Sequence, residues 1–279
     1  MPAQAASESM DSLLYHEHRG TGGPPVVFLH GLAASGRYWH PVAERLDAMG
    51  LRLYMVDLLG FGRSPRPQVT YDPNDHLGAL SLWRRAAGLG HAPLVLVGHS
   101  LGALLALEWA KRDPSIEGVV LVSLPAYHDT AEARQRLASL SFLNRLTLSR
   151  PPIARALCQV MCRTRPLWRM VAPLLVPDVP AEVARDAVLH SWRSFSGTLQ
   201  SCVFGSTISI TDLEAVSAPL LFLHGTDDRT APVEDVPALV GRLPRARFIE
   251  LPGTGHDPPL SNPDRLATEI LAFVRLLRR

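Results

Sequence analysis

The sequence predicts an α/β protein with a mostly parallel, doubly wound sheet of about seven or eight strands. Short apolar runs alternate with segments whose apolar residues recur at helical spacing. The short runs are apolar at nearly every position, which is typical of strands that helices cover on both faces. A long, proline-rich helical segment interrupts this alternation, which then resumes. The pattern indicates one α/β domain that carries a helical insert.

The first half of the chain alternates between predicted strands and predicted helices. The first helix ends at Gly50, because glycine is a common helix terminator. The second begins after Asn74 or Asp75, either of which would serve as its N-cap. The third must end before Pro114. The predicted strands of this half are 13–18, 26–29, 51–56, 93–97 and 119–122.

The second half contains the insert and the last strands. Residues 127–216 are predicted to form a helical cap, inserted after the strand at 119–122. The core domain would then comprise 1–126 and 217–279. Strands are predicted at 220–223 and 248–251, and a helix at 236–243. A final helix is expected to begin at Asn262 and Pro263, a capping residue followed by proline in the first turn.

The composition and charge exclude several classes of protein. Of the 279 residues, 47% are hydrophobic and 19% charged, which indicates a globular chain. The formal net charge of +2 predicts no strong field that would hold nucleic acid or an anionic membrane. Because Lys111 is the one lysine, we interpret the arginine excess as a compositional bias rather than a binding patch. No stretch reaches the roughly 18 apolar residues of a membrane span, and residues 1–12 do not resemble a signal peptide, so we expect a cytoplasmic protein.

The strongest local signal is the pentapeptide Gly98-His99-Ser100-Leu101-Gly102. It lies between a predicted strand and a predicted helix, where a sharp turn lifts a serine hydroxyl clear of the sheet. Side chains in place of the two glycines would clash with the neighbouring strand and helix. The helix that follows presents its N-terminal N–H groups to developing negative charge. The position predicts that Ser100 is a nucleophile.

A serine nucleophile requires a base, and the base requires an acid that orients it. His256 follows the predicted strand at 248–251, and Asp227 and Asp228 follow the strand at 220–223. Loops at these strand ends are able to reach the serine. We therefore expect His256 to be the base and one of the two aspartates to be the acid.

Together these segments resemble the α/β-hydrolase superfamily, in which the catalytic order along the chain is serine, acid, histidine. Gly225, Asp228 and Pro232 match the family's acid-loop pattern, so the resemblance implies that Asp228 is the acid. It also implies an oxyanion hole formed by the backbone amides of Leu101, which follows the nucleophile, and Leu32, in the segment His30-Gly31-Leu32. His30 itself is interpreted as structural. The segment 57–64 resembles another family segment, in which Asp57 and Arg63 would form an internal hydrogen-bonded pair.

The resemblance implies a lidded serine hydrolase that cleaves a carboxylic ester of a small to medium hydrophobic substrate through an acyl-enzyme. Thioesterase, lactonase and carbon–carbon hydrolase activities stay open, as do a non-hydrolytic cyclase or lyase and a binding protein with a vestigial triad. No metal or organic cofactor is implied, and the oligomeric state is left open. Most apolar residues of the insert are interpreted as its own core, while Trp168 and Trp192 are candidate substrate contacts. The cysteines 158, 162 and 202 are interpreted as buried thiols.

Overall fold

A seven-stranded sheet organises the computed structural model, which describes residues 13–231, 233–234 and 236–278. Pro232, part of the acid-loop pattern, lies outside the described residues. The strands follow one another across the sheet in the order β1-β3-β2-β4-β5-β6-β7. They are β1 (His16–Arg19), β2 (Pro25–Leu29), β3 (Arg52–Val56), β4 (Leu94–His99), β5 (Ile116–Val122), β6 (Leu220–Gly225) and β7 (Ala246–Leu251).

The strand directions confirm the predicted fold class. β1 pairs with β3 in antiparallel fashion, and every other neighbouring pair of these strands is parallel. The first strand occupies His16–Arg19 rather than the predicted 13–18, because its register follows its partner: His16 lies opposite Val56 and Arg19 opposite Leu53. Because the parallel strands have their carboxyl ends at one edge, the loops that follow them converge there.

The sheet is covered on both faces, and alternate residues of one strand belong to different cores. Val27 and Leu29 of β2 belong to one cluster of buried side chains, and Val26 and Phe28 belong to the other. This period of two is what a pleated strand requires when both faces are apolar.

The helices that flank the strands agree broadly with the predicted positions, but the helix predicted at 236–243 ends at Val240, α12 (Pro258–Ser261) was not predicted, and two predicted N-caps need correction. They are α1 (His40–Asp47), α2 (Pro73–Ala86), α3 (Leu101–Arg112), α11 (Val236–Val240), α12 (Pro258–Ser261) and α13 (Pro263–Leu276). The N-cap of α2 is Asp72, not Asn74 or Asp75: the Asp72 carboxylate accepts hydrogen bonds from the backbone N–H groups of both. Asn262 occupies the N-cap position of α13, but its side chain makes no capping hydrogen bond and donates to Thr254 Oγ1 instead.

Every secondary-structure element between β5 and β6 is helical. It contains α4 (Thr130–Ser139), α5 (Phe142–Ser149), α6 (Pro151–Arg163), α7 (Arg165–Leu175), α8 (Ala181–Asp186), α9 (Trp192–Thr198), a π-helical turn (Leu199–Val203) and α10 (Ile210–Glu214). The expectation that its apolar residues form mainly its own core is wrong for α5, α6 and α7, where many large apolar side chains are exposed. Among the described residues, no helix is long and apolar enough to cross a bilayer.

Candidate active site

Ser100 occupies the turn between β4 and α3 in a strained backbone conformation. Its φ of 52° and ψ of −114° lie in a region that residues other than glycine rarely adopt. The turn is held by the Ser100 N–H, which donates to the carbonyl of Val122 on β5, and by the Ser100 carbonyl, which accepts from the N–H of Ala103. The side chain is therefore raised above the edge of the sheet where the parallel strands end.

Close backbone contacts explain why glycine flanks this turn. A Cβ on Gly98 would lie 2.2 Å from the carbonyl oxygen of Gly102, within the following helix. A Cβ on Gly102 would lie 2.1 Å from the carbonyl oxygen of Leu29, at the end of the adjacent strand β2. Neither backbone atom is able to move aside as a flexible side chain would, so α3 approaches the sheet this closely only with glycine at both positions.

Three residues from separate loops form a chain of hydrogen bonds. His256 Nε2 lies 3.2 Å from Ser100 Oγ, and His256 Nδ1 lies 2.9 Å from Asp228 Oδ2 and 3.1 Å from Oδ1. Asp228 follows β6 and His256 follows β7, so the loops at the carboxyl ends of these strands bring the two side chains to Ser100. With Nδ1 as the donor to the carboxylate, Nε2 is free to accept the serine proton.

The Asp228 carboxylate is buried and held by further donors. Its Oδ1 accepts hydrogen bonds from the backbone N–H groups of Thr230 (2.8 Å) and Ala231 (2.9 Å), and His224 Nε2 lies 3.4 Å from Oδ2. Burial raises the pKa of this carboxyl, but hydrogen bonds from His224 and His256, with the backbone donors, outweigh it and hold the pKa well below its usual value. The group is therefore ionised at neutral pH.

The neighbouring Asp227 occupies a different environment. Its side chain is exposed and accepts a hydrogen bond from Thr226 Oγ1 at 3.0 Å. The structure brings Asp228, and not Asp227, to the ring of His256.

The loop after β2 lies directly against Ser100. A Cβ built on Gly31 would lie 3.6 Å from the Cβ of Ser100, and Leu32 lines the same cavity as Ser100. Leu101 is the first residue of α3, where backbone N–H groups have no acceptor within the helix. Of the two predicted oxyanion-hole residues, Leu101 is thus the chain neighbour of Ser100 and Leu32 lines the same cavity as Ser100.

His30 and Asp57 hold this region together without contacting Ser100. His30 Nε2 accepts from the N–H of Leu58 at 2.9 Å, so its proton is on Nδ1, which donates to the carbonyl of Gly31 at 2.7 Å. Both ring nitrogens are thus used in structural bonds. Asp57 forms the predicted pair with Arg63, whose Nε lies 3.0 Å from Asp57 Oδ2.

Two adjoining cavities extend from the serine into the helical segment. The inner cavity, of about 300 Å³, contains Ser100 and His256. The outer cavity, of about 520 Å³, is bounded by helices α4, α5, α6 and α9. Residues that line both cavities join them: Leu32, Leu137 and Leu199.

The two predicted substrate-contact tryptophans are in different places. Trp192, at the start of α9, lines the outer cavity. Trp168 on α7 is 36% exposed and lines neither of the two cavities. Of the two predicted substrate contacts, therefore, Trp192 borders a cavity that leads to Ser100 and Trp168 does not.

A buried polar cluster that the sequence did not predict lies beside the imidazole of His256. His99 Nε2 donates to the carbonyl of His256 at 2.7 Å, and its ring stacks on Tyr38 with centroids 4.8 Å apart. Tyr38 donates to Asp257 Oδ1 at 2.7 Å. Burial and the neighbouring His256 lower the pKa of His99 to about 4, so the ring is neutral near pH 7. The place of His99 inside the pentapeptide was the one sequence signal that pointed to this cluster.

Comparisons with known proteins agree with this fold. Among curated proteins, the chain is 27% identical over 266 residues to the "Probable lysophospholipase BODYGUARD 3" of Arabidopsis thaliana, which covers 85% of this chain and 52% of that protein. It is 28% identical over 270 residues to the pimeloyl-[acyl-carrier protein] methyl ester esterase of Vibrio vulnificus, with 95% and 99% of the two chains covered. The chain spans between 52% and 60% of the length of four Arabidopsis relatives that it matches.

A solved structure and a family model complete the comparison. A thermophilic esterase from Thermogutta terrifontis superimposes with a TM-score of 0.70, 24% sequence identity and coverage of 95% of this chain and 94% of that one, which is a likeness of fold. Residues 26–269 match the model of the alpha/beta hydrolase family. The protein described here belongs to the alpha/beta hydrolase family.

Proposed function

We propose that this protein is a serine hydrolase that cleaves carboxylic esters of small to medium hydrophobic acyl substrates. The observation that carries the proposal is the hydrogen-bond chain from Asp228 through His256 to Ser100, beside a cavity. All three separations are hydrogen-bond distances, which activation of a serine by an oriented histidine requires. Relatives whose names describe ester hydrolysis support the ester as the bond.

The reaction would begin with attack of Ser100 Oγ on the substrate carbonyl. His256 Nε2 takes the hydroxyl proton, and the buried Asp228 carboxylate stabilises the imidazolium that results. The backbone amides of Leu32 and Leu101 donate to the oxyanion of the tetrahedral intermediate. His256 then returns the proton to the alkoxide, which leaves as the alcohol, and the acyl group stays on Ser100.

Water completes the cycle by the same route. His256 removes a proton from the water that attacks the acyl-enzyme, and then protonates Ser100 as the acid departs. The inner cavity would hold the acyl group next to Ser100. Its walls include apolar side chains from three parts of the chain, Leu32, Val203 and Leu260, which favours hydrophobic groups.

Covalent labelling and turnover test the proposal together. Wild-type protein should react with a fluorophosphonate at one site, and Ser100→Ala should abolish labelling and lower ester hydrolysis by at least about 10³-fold. Ser217→Ala, an exposed serine that lines neither cavity, is the matched control and should behave as wild type.

A panel of esters, thioesters and lactones of graded acyl length identifies the bond. Ester turnover that disappears with Ser100→Ala supports the proposal. A labelled protein that turns over none of these substrates would favour a non-hydrolytic reaction, and an unlabelled protein would favour a binding role. Either result overturns the proposal.

A further inference from the structure

Large exposed apolar side chains are concentrated in one part of the molecule. Among the described residues, eleven of the fourteen exposed large hydrophobic side chains lie between Leu140 and Val176, in and beside α5, α6 and α7. α5 packs against α6, and α6 against α7, so their outer surfaces adjoin. We call this the apolar lid surface; its main side chains are Phe142, Leu157, Val160, Leu167, Met170 and Leu174. Soluble proteins seldom concentrate this many exposed large apolar side chains in one region without a binding role.

Helix α7 shows the reversal of the usual pattern most clearly. Leu167, Met170 and Leu174 recur at i, i+3 and i+7, and therefore share one helical face. These side chains are 57%, 73% and 79% exposed. On the other side of the helix, Arg165 donates to the carbonyl of His190 at 2.9 Å. The apolar face of this amphipathic helix thus points outward, and Arg165 contacts the body of the protein.

The same segment has an unusual charge. Residues 140–177 contain six arginines, no lysine and no aspartate or glutamate, so their formal charge is +6. Because the whole chain carries +2, the balanced total conceals this concentration. Arg145, Arg150, Arg155, Arg163 and Arg169 are exposed. Our interpretation of the arginine excess as mere compositional bias does not account for this distribution.

We propose that the apolar lid surface docks onto a lipid bilayer that contains anionic phospholipid. Exposed Leu, Phe and Met side chains would enter the boundary between headgroups and acyl chains, while the arginines pair with lipid phosphates. Self-association through this surface is disfavoured, because two copies would bring segments of charge +6 against each other. An anionic bilayer supplies both the apolar phase and the opposite charge.

Docking in this orientation would place the outer cavity next to the bilayer. Residues on the inner sides of α5 and α6, among them Leu148 and Ala154, line that cavity. A hydrophobic substrate that leaves the membrane would therefore enter near Trp192. The docking proposal does not rest on the esterase proposal, since binding to vesicles is measured without turnover.

The experiment is co-sedimentation of the full chain with vesicles of ether-linked lipids, which ester hydrolysis cannot alter. Vesicles of diether phosphatidylcholine with 30% diether phosphatidylglycerol are compared with pure diether phosphatidylcholine. We expect binding at least about tenfold tighter to the anionic vesicles, and weaker binding as NaCl rises from 0.05 to 0.5 M.

Two pairs of matched variants identify the surface. Met170→Ser with Leu174→Ser should weaken binding about tenfold or more, whereas Met49→Ser with Leu276→Ser, which are 57% and 48% exposed elsewhere, should not. Arg155→Glu with Arg163→Glu should also weaken it, whereas Arg85→Glu with Arg275→Glu, which change the net charge equally, should not. Because all these side chains are exposed, thermal melts should stay close to that of wild type.

Three results would overturn the docking proposal. The first is no difference between anionic and neutral vesicles. The second is undiminished binding by the Met170→Ser, Leu174→Ser variant. The third is a dimer in sedimentation-velocity runs that this variant dissociates, without vesicle binding by wild type, which would make the surface an interface between copies.

Discussion

Replacing Asp228 with asparagine should reverse the proton arrangement of the His256 ring and nearly abolish turnover. In the structure, Asp228 Oδ1 accepts from the N–H groups of Thr230 and Ala231. An asparagine must keep its carbonyl oxygen there, because its NH₂ group cannot accept those two donors. The NH₂ group would then occupy the Oδ2 position, 2.9 Å from His256 Nδ1, and donate to it. Nδ1 becomes an acceptor, the proton moves to Nε2, and Nε2 is unable to accept from Ser100.

Asp228→Asn should remove the general base, because Nε2 of His256 is protonated, while the positions of the three side chains stay the same. A wrong histidine tautomer of this kind costs about 10⁴ in kcat in serine hydrolases, or about 5 kcal/mol of barrier. Asp227→Asn is the matched control: its exposed carboxylate contacts Thr226 and not His256, so we expect turnover within about threefold of wild type.

The assay is steady-state hydrolysis of the best ester from the substrate panel, with active sites counted by fluorophosphonate labelling and folding checked by thermal melts. Folded Asp228→Asn protein that retains more than a tenth of wild-type kcat would refute the tautomer argument. A larger loss in Asp227→Asn than in Asp228→Asn would show that the other carboxylate orients the base.

Three further predictions concern the cavity, the imidazole and pH. Trp192→Ala should change which acyl chain lengths react fastest, because Trp192 lines the outer cavity. Trp168→Ala should leave that ranking unaltered, because Trp168 does not line it; a shifted ranking in Trp168→Ala alone contradicts this. His99→Phe keeps a ring beside Tyr38 but removes the donor to the His256 carbonyl. We expect kcat to fall about tenfold with little change in KM, and an unchanged kcat would contradict a positioning role for His99. Burial lowers the native pKa to about 4 in three histidines, His76, His99 and His190. The free energy of unfolding should therefore fall as pH drops from about 6.5 to about 4, by up to about 1.4 kcal/mol per pH unit for each of them. Chemical denaturation at pH 7 and at pH 5 measures this change, and equal stability at the two pH values would contradict the prediction.

The sign of the pH effect follows from proton binding in the two states. Burial lowers the native pKa values of these histidines below the value of 6.5 that an unfolded chain has. Between about pH 4 and pH 6.5 the unfolded chain therefore binds more protons than the native protein, and acid favours unfolding. The depressed pKa of Asp228 acts in the same direction at still lower pH, because that carboxylate must be protonated as the protein unfolds in acid.

The positions of Ser100, Asp228 and His256 could be predicted because each depends on local signals. Each follows a short apolar run, and parallel strands bring the loops that follow such runs to one edge of the sheet. The choice between Asp227 and Asp228 needed the family pattern, since both follow the same strand. In the structure the difference is one of direction: one carboxylate points to solvent and the other into the bonds of Thr230, Ala231 and His256.

The contacts around His99 could not be predicted in this way. Tyr38 lies 61 residues from His99 and 219 from Asp257 along the chain, and no motif connects the three. They meet because the segment after β2 passes beside the end of β4 and the loop after β7. Such clusters depend on the exact side-chain directions of three separate segments, which hydrophobic periodicity does not specify.

The helical segment between β5 and β6 shows a further limit of periodicity, and this limit bears on function. A 3.6-residue pattern identifies the apolar face of α7 but does not say what covers that face. The ordinary expectation, that it packs inward, is contradicted by the exposure of Met170 and Leu174. Two properties of the sequence could have signalled the difference: residues 140–177 contain no acidic residue, and their arginines are interspersed with large apolar side chains. A face that packs inside a protein gains nothing from a one-sided charge around its rim, whereas a face that meets an anionic bilayer does, because the lipid phosphates supply the missing counter-charge.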